Sequence, residues 1–373
     1  MRIAATVVTA GALILAASPA PVLAQARAPL VAPTPIATGL DNPRGIAFGP
    51  DGALYVAEAG VGGAGPCQTG GEGEVCFGAS GAITRIKDGR QRRIRTGLPS
   101  LASRAGAQAS GPVDVAVSRS GGLHYLVGLG GPPSLADVPQ MRGMAKLYRH
   151  RPSGPKLIAN LGAYEQRVNP DGVKPPDTNP QGLALAGKSR YVVDAGGNSL
   201  LRVDARGRIS TVAVLPARRG VVPAIPGGQP PGLPPAGTQV PMQAVPTAAV
   251  KGPDGAWYVG ELTGFPFPAG GAHVYRVVPG RPAKIYATGF TNIIDLAWGP
   301  DRRLYVLEIA KNGLLSRDQT GALLRVSTRG PHKVIASTGL RAPGGVAIRG
   351  RSAYITNCGV CKGTGSVVRV PLS

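Results

Sequence analysis

Acidic side chains recur at one position of a repeated segment, although the chain has only 19 Asp and Glu residues among 373. Each stands three residues after a tyrosine, in the strings YVAE, YVVD, YVGE and YVLE, and a fifth string, YITN, has an amide there. The five residues are Glu58, Asp194, Glu261, Glu308 and Asn357. Oxygen-rich groups suit a hard divalent cation, which takes about six to eight oxygen ligands. We therefore predict a ring of metal ligands, with Ca²⁺ as the expected cation.

A purely structural explanation of these acids stays open beside the metal ring. Buried carboxylates need partners, and an arginine recurs at another position of the same segment. Ion pairs with that arginine, or hydrogen bonds that cap turns, would also place acids at a repeated position.

A second recurrent position opens the short apolar strand that precedes each tyrosine. Its polar members are Arg44, Asp114, Gln181, Thr247 and Asp295, and Gly344 takes the place in the last copy. The strand has a small, Ala-rich centre, which suits a position where several strands crowd together. We predict that these five polar side chains lie near a common axis and bind a ligand.

Four cysteines form two sequence-local pairs, Cys67 with Cys76 and Cys358 with Cys361. In an exported protein, four cysteines indicate two disulfides, for which three connectivities exist. The local pairs are the simplest, and cross-pairing between the two ends of the chain is the alternative.

Two glycine motifs match nucleotide-binding patterns by chance. Gly182 to Ser189 fits the P-loop pattern, and Gly60, Gly62 and Gly65 fit G-x-G-x-x-G. Both patterns need a helix immediately after the glycines. The first match is followed by the strand YVVDA and the second by a Gly-rich loop, so neither predicts a phosphate site.

Six copies of one unit account for most of the chain. Six of the ten tyrosines occupy one repeat position, and an arginine closes an apolar run in each copy. The tyrosines are Tyr55, Tyr125, Tyr191, Tyr258, Tyr305 and Tyr354, and the arginines are Arg85, Arg149, Arg202, Arg276, Arg325 and Arg369. Turns such as P-D-G precede the tyrosines. We therefore predict four antiparallel strands, A to D, in each unit.

The last unit lacks strand D, because the chain ends at Ser373, and PIATGL at residues 35–40 matches the missing strand. We predict an all-β fold, a six-bladed β-propeller in which the N-terminal strand completes blade 6. The predicted blades span 41–98, 111–162, 179–215, 245–290, 292–340 and 342–373 together with 33–40, within one domain of 31–373.

Residues 1–24 have the pattern of a secretory signal peptide: Arg2, an apolar run and a small-residue site at Ala24. We predict a secreted or periplasmic protein that does not span the membrane and is a monomer. The net charge of +22 favours an anionic partner such as a cell-envelope component, or is simply a solvated basic surface. Export and the lack of a basic helix argue against nucleic acid.

Long loops fall on one face of the predicted propeller, the face of the D–A and B–C connections. They include 60–81, 128–144, 161–180 and the Pro-rich 216–246. Binding residues concentrate on long loops held by a rigid scaffold, so we predict that this face is the functional surface. Residues 221–246 are expected to form a semi-rigid cover or a flexible flap over it.

Several strings resemble the ScyD/ScyE family of exported bacterial propellers, namely GLDNPRGIAFGPDGALYVAEAG, DAGGNSLLRVD, ELTGFPFPAGGAHVYRV and FTNIIDLAWGPDRRLYVLEIA. The likeness covers essentially the whole mature chain, and Glu261 to Pro268 is its most specific part. More distantly, the blades are similar to NHL repeats and to the gluconolactonase-like six-bladed group. The resemblance implies a six-bladed fold and export. Cys358 and Cys361 depart from it, where relatives have a Gly-rich loop.

Two functions follow from these observations. The first is a binding or interaction protein of the cell envelope that holds a small or polymeric ligand. The second is a divalent-metal-dependent hydrolase or lactonase of the gluconolactonase-like type, in which Asp295 or Asp194 would act as base. The residues alone do not decide whether the protein is an enzyme.

Overall fold

Six antiparallel sheets stand in a ring around a central axis in the computed structural model, which describes residues 32–70 and 73–372. The predicted all-β fold, a six-bladed β-propeller, is confirmed. The predicted signal peptide at 1–24 lies outside the described residues.

The first strand belongs to the last blade, and the next three blades follow in chain order. These strands are β1 (Thr34–Leu40) of blade 6; β2 (Pro43–Phe48), β3 (Leu54–Glu58), β4 (Cys67–Gly70), β5 (Gly73–Lys87) and β6 (Arg90–Ser103) of blade 1; β7 (Pro112–Val117), β8 (Leu123–Val127), β9 (Lys146–Arg149) and β10 (Lys156–Asn160) of blade 2; and β11 (Pro180–Ala186), β12 (Ser189–Asp194), β13 (Ser199–Val203) and β14 (Ile209–Val214) of blade 3.

A two-stranded hairpin separates blade 3 from the remaining blades. The strands are β15 (Arg218–Val221) and β16 (Gln239–Met242) of the hairpin; β17 (Pro246–Lys251), β18 (Trp257–Glu261), β19 (Ala272–Val277) and β20 (Lys284–Phe290) of blade 4; β21 (Ile293–Trp298), β22 (Leu304–Glu308), β23 (Ala322–Arg325) and β24 (Lys333–Ala336) of blade 5; and β25 (Gly345–Arg349), β26 (Ser352–Asn357) and β27 (Gly365–Pro371) of blade 6.

The ring closes through hydrogen bonds between the two ends of the described chain. Strand β1 pairs antiparallel with β27, and Leu40 lies opposite Gly365. Leu40 and Val367 are fully buried in a shared core between blades 6 and 1. The N-terminal strand therefore completes blade 6, as the sequence predicted.

Apolar clusters fill the space between successive blades. In strands, alternate side chains point to opposite faces, so each sheet contributes to the cluster on either side of it. The interface of blades 4 and 5, for example, packs Tyr258, Val274 and Phe290 against Leu296 and Val306. Clusters of this kind lie at all six blade interfaces among the described residues. Successive blades are thus held together by apolar packing around the whole ring.

Three of the repeat arginines have an ionic partner in the turn between strands A and B. Arg85 lies 2.6 Å from Asp51, Arg276 lies 2.8 Å from Asp254, and Arg325 lies 4.0 Å from Asp301. The repeat tyrosine joins two of these pairs, since the Tyr258 and Tyr305 hydroxyls each donate to the turn aspartate. The repeat positions therefore have a structural role in blades 1, 4 and 5.

The long segments of the loop face contain secondary structure that the sequence did not predict. In the B–C segment of blade 1, residues 67–70 form β4 and residues 73–81 the first part of β5, and β6 continues beyond the blade as the partner of that extension. The D–A segment after blade 2 contains α1 (Leu161–Val168), which Asn160 caps. Short 3₁₀ helices cover Pro133–Asp137, Pro139–Met141 and Leu314–Ser316.

The Pro-rich segment is anchored rather than detached from the blades. Its strands β15 and β16 pair with each other, and Val222, Met242 and Ala244 are buried. Arg218 ties the hairpin to Glu261 of blade 4.

Both disulfides join sequence-local cysteines. Cys67 bonds to Cys76 across β4 and β5, and Cys358 bonds to Cys361. Such bonds are typical of an oxidising, extracytoplasmic compartment. None of the helices in the described part of the chain is long and apolar enough to cross a bilayer.

Candidate functional site

The predicted cation ligands at the ends of the B strands, here called the outer ring, are each hydrogen-bonded to their own blade or to the D–A connection before it. They are Glu58, Asp194, Glu261, Glu308 and Asn357. The Glu58 carboxylate accepts from both Nε (3.0 Å) and a terminal nitrogen (2.6 Å) of Arg93, and from the Asp41 backbone N–H (2.8 Å). It also accepts from the Thr84 hydroxyl. Glu58 is fully buried, so these partners replace the water that the charge has lost.

Three more members of the ring bind the backbone of the D–A connection beside them. Asp194 accepts from the Asn179 N–H (2.7 Å), Glu308 from the Thr291 N–H (2.6 Å), and Asn357 from the Arg341 N–H (2.7 Å). Asp194 also accepts from the Thr178 hydroxyl and the Gly197 N–H. The last residue of strand B therefore fastens the incoming D–A loop.

Glu261 differs from the other three acids in having one buried carboxylate oxygen without a hydrogen-bond partner. It forms an ion pair with Arg218 and accepts from the His273 backbone N–H at 2.9 Å, while its other oxygen has no hydrogen-bond partner. Burial raises the pKa of Glu261 to about 7, although Arg218 opposes the shift. Burial and Arg218 lower the pKa of His273 to about 4.

The outer ring does not gather into a metal centre. Among the described residues, Cys67, Glu74 and Cys76 are the one group of three His, Cys, Asp or Glu ligand atoms that lie within 4.8 Å of one another. That group contains a disulfide. Glu58, Asp194, Glu261, Glu308 and Asn357 stay apart because each serves the loop of its own blade.

The second predicted set does come together at the axis. Arg44, Gln181 and Thr247 take one position of strand A, with Asp114 and Asp295 at the next position. All five line one constriction of about 20 Å³, to which Gly344 also contributes. The inner strands bring these residues from five blades to one point.

Asp114 and Asp295 each bridge two neighbouring inner strands. One Asp114 oxygen accepts from its own blade at Val115 N–H (2.7 Å), and the other from blade 3 at Leu183 N–H (2.6 Å). Asp295 repeats this arrangement with Leu296 and Val346, both at 2.7 Å. The innermost strand of a sheet has an unpaired edge, so its N–H groups need such acceptors.

A glycine makes room for Asp114 in the adjacent blade. A Cβ at position 45 would overlap the Asp114 carboxylate. Gly345 of the blade that follows lies near Asp295 less tightly, since a Cβ there would be 3.3 Å from the Asp295 carboxylate.

The two axial carboxyls have strongly perturbed acidities. Burial raises the pKa of Asp295 to about 7, against opposing hydrogen bonds from Val346 and Leu296. Burial, and secondly the charge of Asp295, raise the pKa of Asp114 well above its ordinary value. Neither aspartate has an ion pair within 4.0 Å among the described residues.

Arg44 lies at the same constriction but does not neutralise the aspartates. Its guanidinium donates to the Ala109 carbonyl at 2.8 Å. Burial lowers the pKa of Arg44 to about 10. The Gln181 amide makes no hydrogen bond in the described structure, whereas the Thr247 hydroxyl donates to the Ile293 carbonyl at 2.8 Å.

Below the constriction the axis widens into a chamber of about 430 Å³, on the side of the short A–B turns. The inner strands of all six blades form its walls, with Asp114 and Asp295 at its inner end and Lys251 and Trp298 toward the turns. Sequence reasoning assigned the binding surface to the opposite, long-loop face and missed this chamber. The apolar second halves of the six A strands are the sequence feature from which this chamber could have been predicted.

Comparisons with solved structures support the architecture. A protein of unknown function from Bacteroides thetaiotaomicron superposes with a TM-score of 0.53 and 11% identity over 89% of this chain and 70% of that one. Regucalcin from Agrobacterium tumefaciens, described as a calcium-binding protein, gives a TM-score of 0.50 and 11% identity over 92% and 95%. A candidate gluconolactonase gives 0.48 and 11% over 92% and 94%. At such identities the likeness concerns the fold alone. No protein-family model and no curated protein matches the chain significantly in sequence.

Proposed function

We propose that this chain is an exported cell-envelope protein of the ScyD/ScyE type that binds a small ligand in its axial chamber. The signal-peptide pattern at 1–24 and the two disulfides support export. The ligand enters from the side of the A–B turns and places a hydrogen-bond donor or a cationic group against Asp114 and Asp295.

One observation carries this proposal: two buried carboxylates stand at the end of a chamber without a cationic partner. A charge removed from water needs compensation, and the raised pKa values of both groups reflect its absence. A donor group of a ligand supplies that compensation. The chamber volume of about 430 Å³ falls in the range of small-molecule sites.

Three matched sugars test the predicted preference. Glucosamine, glucose and glucuronate have similar size and differ in charge, so the facing carboxylates should rank their affinities in that order. Trp298 lines the chamber, whereas Trp257 is buried in the blade 3–blade 4 core. Tryptophan fluorescence titrations therefore report on the chamber, with Trp298→Phe as the control that removes the response.

The variant Asp295→Asn should abolish the preference for glucosamine over glucose. Tighter binding of glucuronate than of glucosamine would overturn the proposed role of the carboxylates. A Trp298 signal that none of the three sugars changes would remove the chamber as a sugar-sized site.

A calcium-dependent hydrolase or lactonase is the second candidate. The regucalcin neighbour is a calcium-binding protein, and a cation at the axis would relieve the repulsion between Asp114 and Asp295. The outer acids do not suit such an ion, since each is committed to its own loop. The axial set fits better, because it offers two carboxylates and the unpartnered Gln181 amide, with water completing about six ligands.

In this second candidate the cation supplies Lewis-acid polarisation of a substrate carbonyl. Asp295 lines the chamber, and it can act as the base only where Asp114 and the Gln181 amide hold the cation, because a carboxylate that binds the cation does not accept a proton. Asp194, the other predicted base, is fully buried and accepts three hydrogen bonds in blade 3. Asp194 is therefore unsuited to act as the base.

Thermal unfolding with Ca²⁺ and with chelator tests the second candidate. A cation that binds only the native state adds about 2.7 kcal/mol when its concentration is about 100 times Kd, a shift of roughly 3–5 °C. Asp114→Asn should remove the shift, whereas Glu261→Gln in the outer ring should leave it. An identical midpoint with saturating Ca²⁺ and with chelator would exclude the calcium site.

A further inference from the structure

Blade 2 breaks the pairing that holds the repeat arginine in blades 1, 4 and 5. There the A–B turn supplies an aspartate to Arg85, Arg276 and Arg325. The corresponding turn of blade 2, residues 118–122, reads SRSGG and contains no acid. Arg149 is consequently left exposed and without an ion pair in the described structure.

Three other arginines and one histidine line a groove of about 740 Å³ between blades 1 and 2 together with Arg149. Strand β6 contributes Arg92 and Arg95 from blade 1, and the end of strand C in blade 2 contributes His150 and Arg151. The groove lining contains no acidic residue. None of its arginines forms a salt bridge among the described residues.

Two buried nitrogen atoms in this groove lack a hydrogen-bond partner. They are Nε of Arg95 and Nδ1 of His150. Arg95 is positioned across the blade interface, since its terminal nitrogen donates to the Arg151 carbonyl at 2.9 Å. The Arg95 Nε–H is a donor, and a buried donor without a partner costs about 1–3 kcal/mol, so an acceptor from outside the chain would be favoured beside it. Burial and Arg95 also lower the pKa of His150, which keeps the ring neutral near pH 7.

Like charges crowd the neighbourhood of Arg149 as well. Arg190 of blade 3 has a lowered pKa, first through burial and then through the charge of Arg149. His124, beside Arg190 at 3.2 Å, has its pKa lowered to about 4 by burial and by both arginines. An anion in the groove would relieve this repulsion.

We propose that the groove between blades 1 and 2 is an anion site that binds phosphate groups of a linear cell-envelope polymer. Arginine forks match the oxygens of a phosphate group in a bidentate manner. The site is a groove between two blades, a shape into which a flexible chain fits more closely than a flat bilayer. The chain's net charge of +22 favours the approach of a polyanion. This inference is independent of the axial chamber.

Binding of linear polyphosphate, measured by calorimetry at fixed ionic strength, tests the proposal. Replacing Arg149 or Arg95 by Gln should weaken the affinity about tenfold each, as expected for loss of a charge-assisted contact. Arg202→Gln is the matched control, because it removes the same charge from the same repeat position in blade 3, and it should change the affinity less than about twofold. Arg95→Lys keeps the charge but loses the fork, and should still weaken binding.

Three results would overturn the proposal: equal losses in the Arg149 and Arg202 variants, tighter binding to phosphatidylglycerol vesicles than to polyphosphate, or binding of inorganic phosphate as tight as that of the polymer. The first would indicate non-specific attraction, the second a membrane partner and the third a free anion. Unchanged unfolding midpoints show that the variants fold. Asp114→Asn in the axial chamber should bind polyphosphate like the parent protein, so failure of one site is distinguishable from failure of the other.

Discussion

Asp114 in blade 2 and Asp295 in blade 5 stand on opposite sides of the propeller axis, and each carboxylate fastens its own inner strand to that of the next blade. The two carboxylates accept hydrogen bonds from backbone N–H groups of the inner strands, and they also form the acidic end of the chamber. In the proposed function, the donor group of a ligand would share these oxygens with the backbone N–H groups.

The pH dependence of the free energy of unfolding should reveal the burial of the Asp295 carboxyl. Asp295 has a folded pKa of about 7, raised from 3.8, so folding favours its protonated form. Its contribution to stability is complete below about pH 4 and is lost as the pH rises through 7. One group contributes at most about 1.4 kcal/mol per pH unit to the slope. Denaturant unfolding between pH 4 and 8 should show a shallower decline in Asp295→Asn. An unchanged slope would show that Asp295 titrates normally.

Ring closure makes a separate prediction at Leu40. The side chain is fully buried between blades 6 and 1, and truncation of such a leucine costs about 2–5 kcal/mol. Leu40→Ala should lower the free energy of unfolding by that amount. Leu157→Ala is the control, since Leu157 is 49% exposed on the outer strand of blade 2 and should cost less than about 1 kcal/mol. Equal effects would mean that β1 adds nothing to closure.

The fold could be predicted from sequence because its determinants are local and repeated. The turn, tyrosine and arginine of each unit recur with short spacing, and residues 35–40 match the strand missing from the last unit. The segment 60–81 escaped prediction because its glycines carry no strand pattern, and its pairing depends on β6 and on the Cys67–Cys76 bond. Helix α1 could have been predicted from the sequence, since Asn160 is an N-cap residue and Leu161, Tyr164 and Glu165 have helical spacing.

The candidate site was predictable only in part. Convergence of strand A at the axis follows from the fold, and it brings Arg44, Asp114 and Asp295 to one constriction. Whether an acidic side chain points to the axis or to the loop of its own blade depends on hydrogen-bond partners that are distant in the sequence. Glu58 illustrates this, because Arg93 and the Asp41 N–H are 35 and 17 residues away in the sequence. Spacing alone did not distinguish a ligand ring from repeated loop fasteners.

The structural role of Glu58 can be tested by comparing the stability lost in a Glu58 variant with that lost when an exposed ion pair is broken. Glu58→Gln removes the charge that Arg93 and the loop N–H groups bind in the interior, and it should cost about 2–4 kcal/mol in denaturant unfolding. The control is Glu74→Gln, which breaks the exposed contact with Arg104, whose side chain is 73% exposed, and should cost less than about 1 kcal/mol. A loss from Glu58→Gln as small as that of the control would contradict the fastening role.

Glu165 of α1 is the buried acid with the least support. It is 1% exposed, and neither carboxylate oxygen has a hydrogen-bond partner. Burial, followed by the charges of Asp194, Asp171 and Asp177, raises its pKa to about 8. Because the folded pKa is raised, the protonated form stabilises the fold, and this contribution disappears as the pH rises through 8.

Glu165→Gln keeps the size of the side chain and cannot ionise, so it should be more stable than the parent at pH 9. At pH 4, where the parent carboxyl is protonated, the two proteins should differ by less than about 1 kcal/mol. Unfolding midpoints at the two pH values measure the effect, and Asp318→Asn, an exposed acid whose pKa is lowered, should show no gain at pH 9. A Gln variant that is no more stable than the parent at pH 9 would contradict the proposed cost of the buried carboxylate.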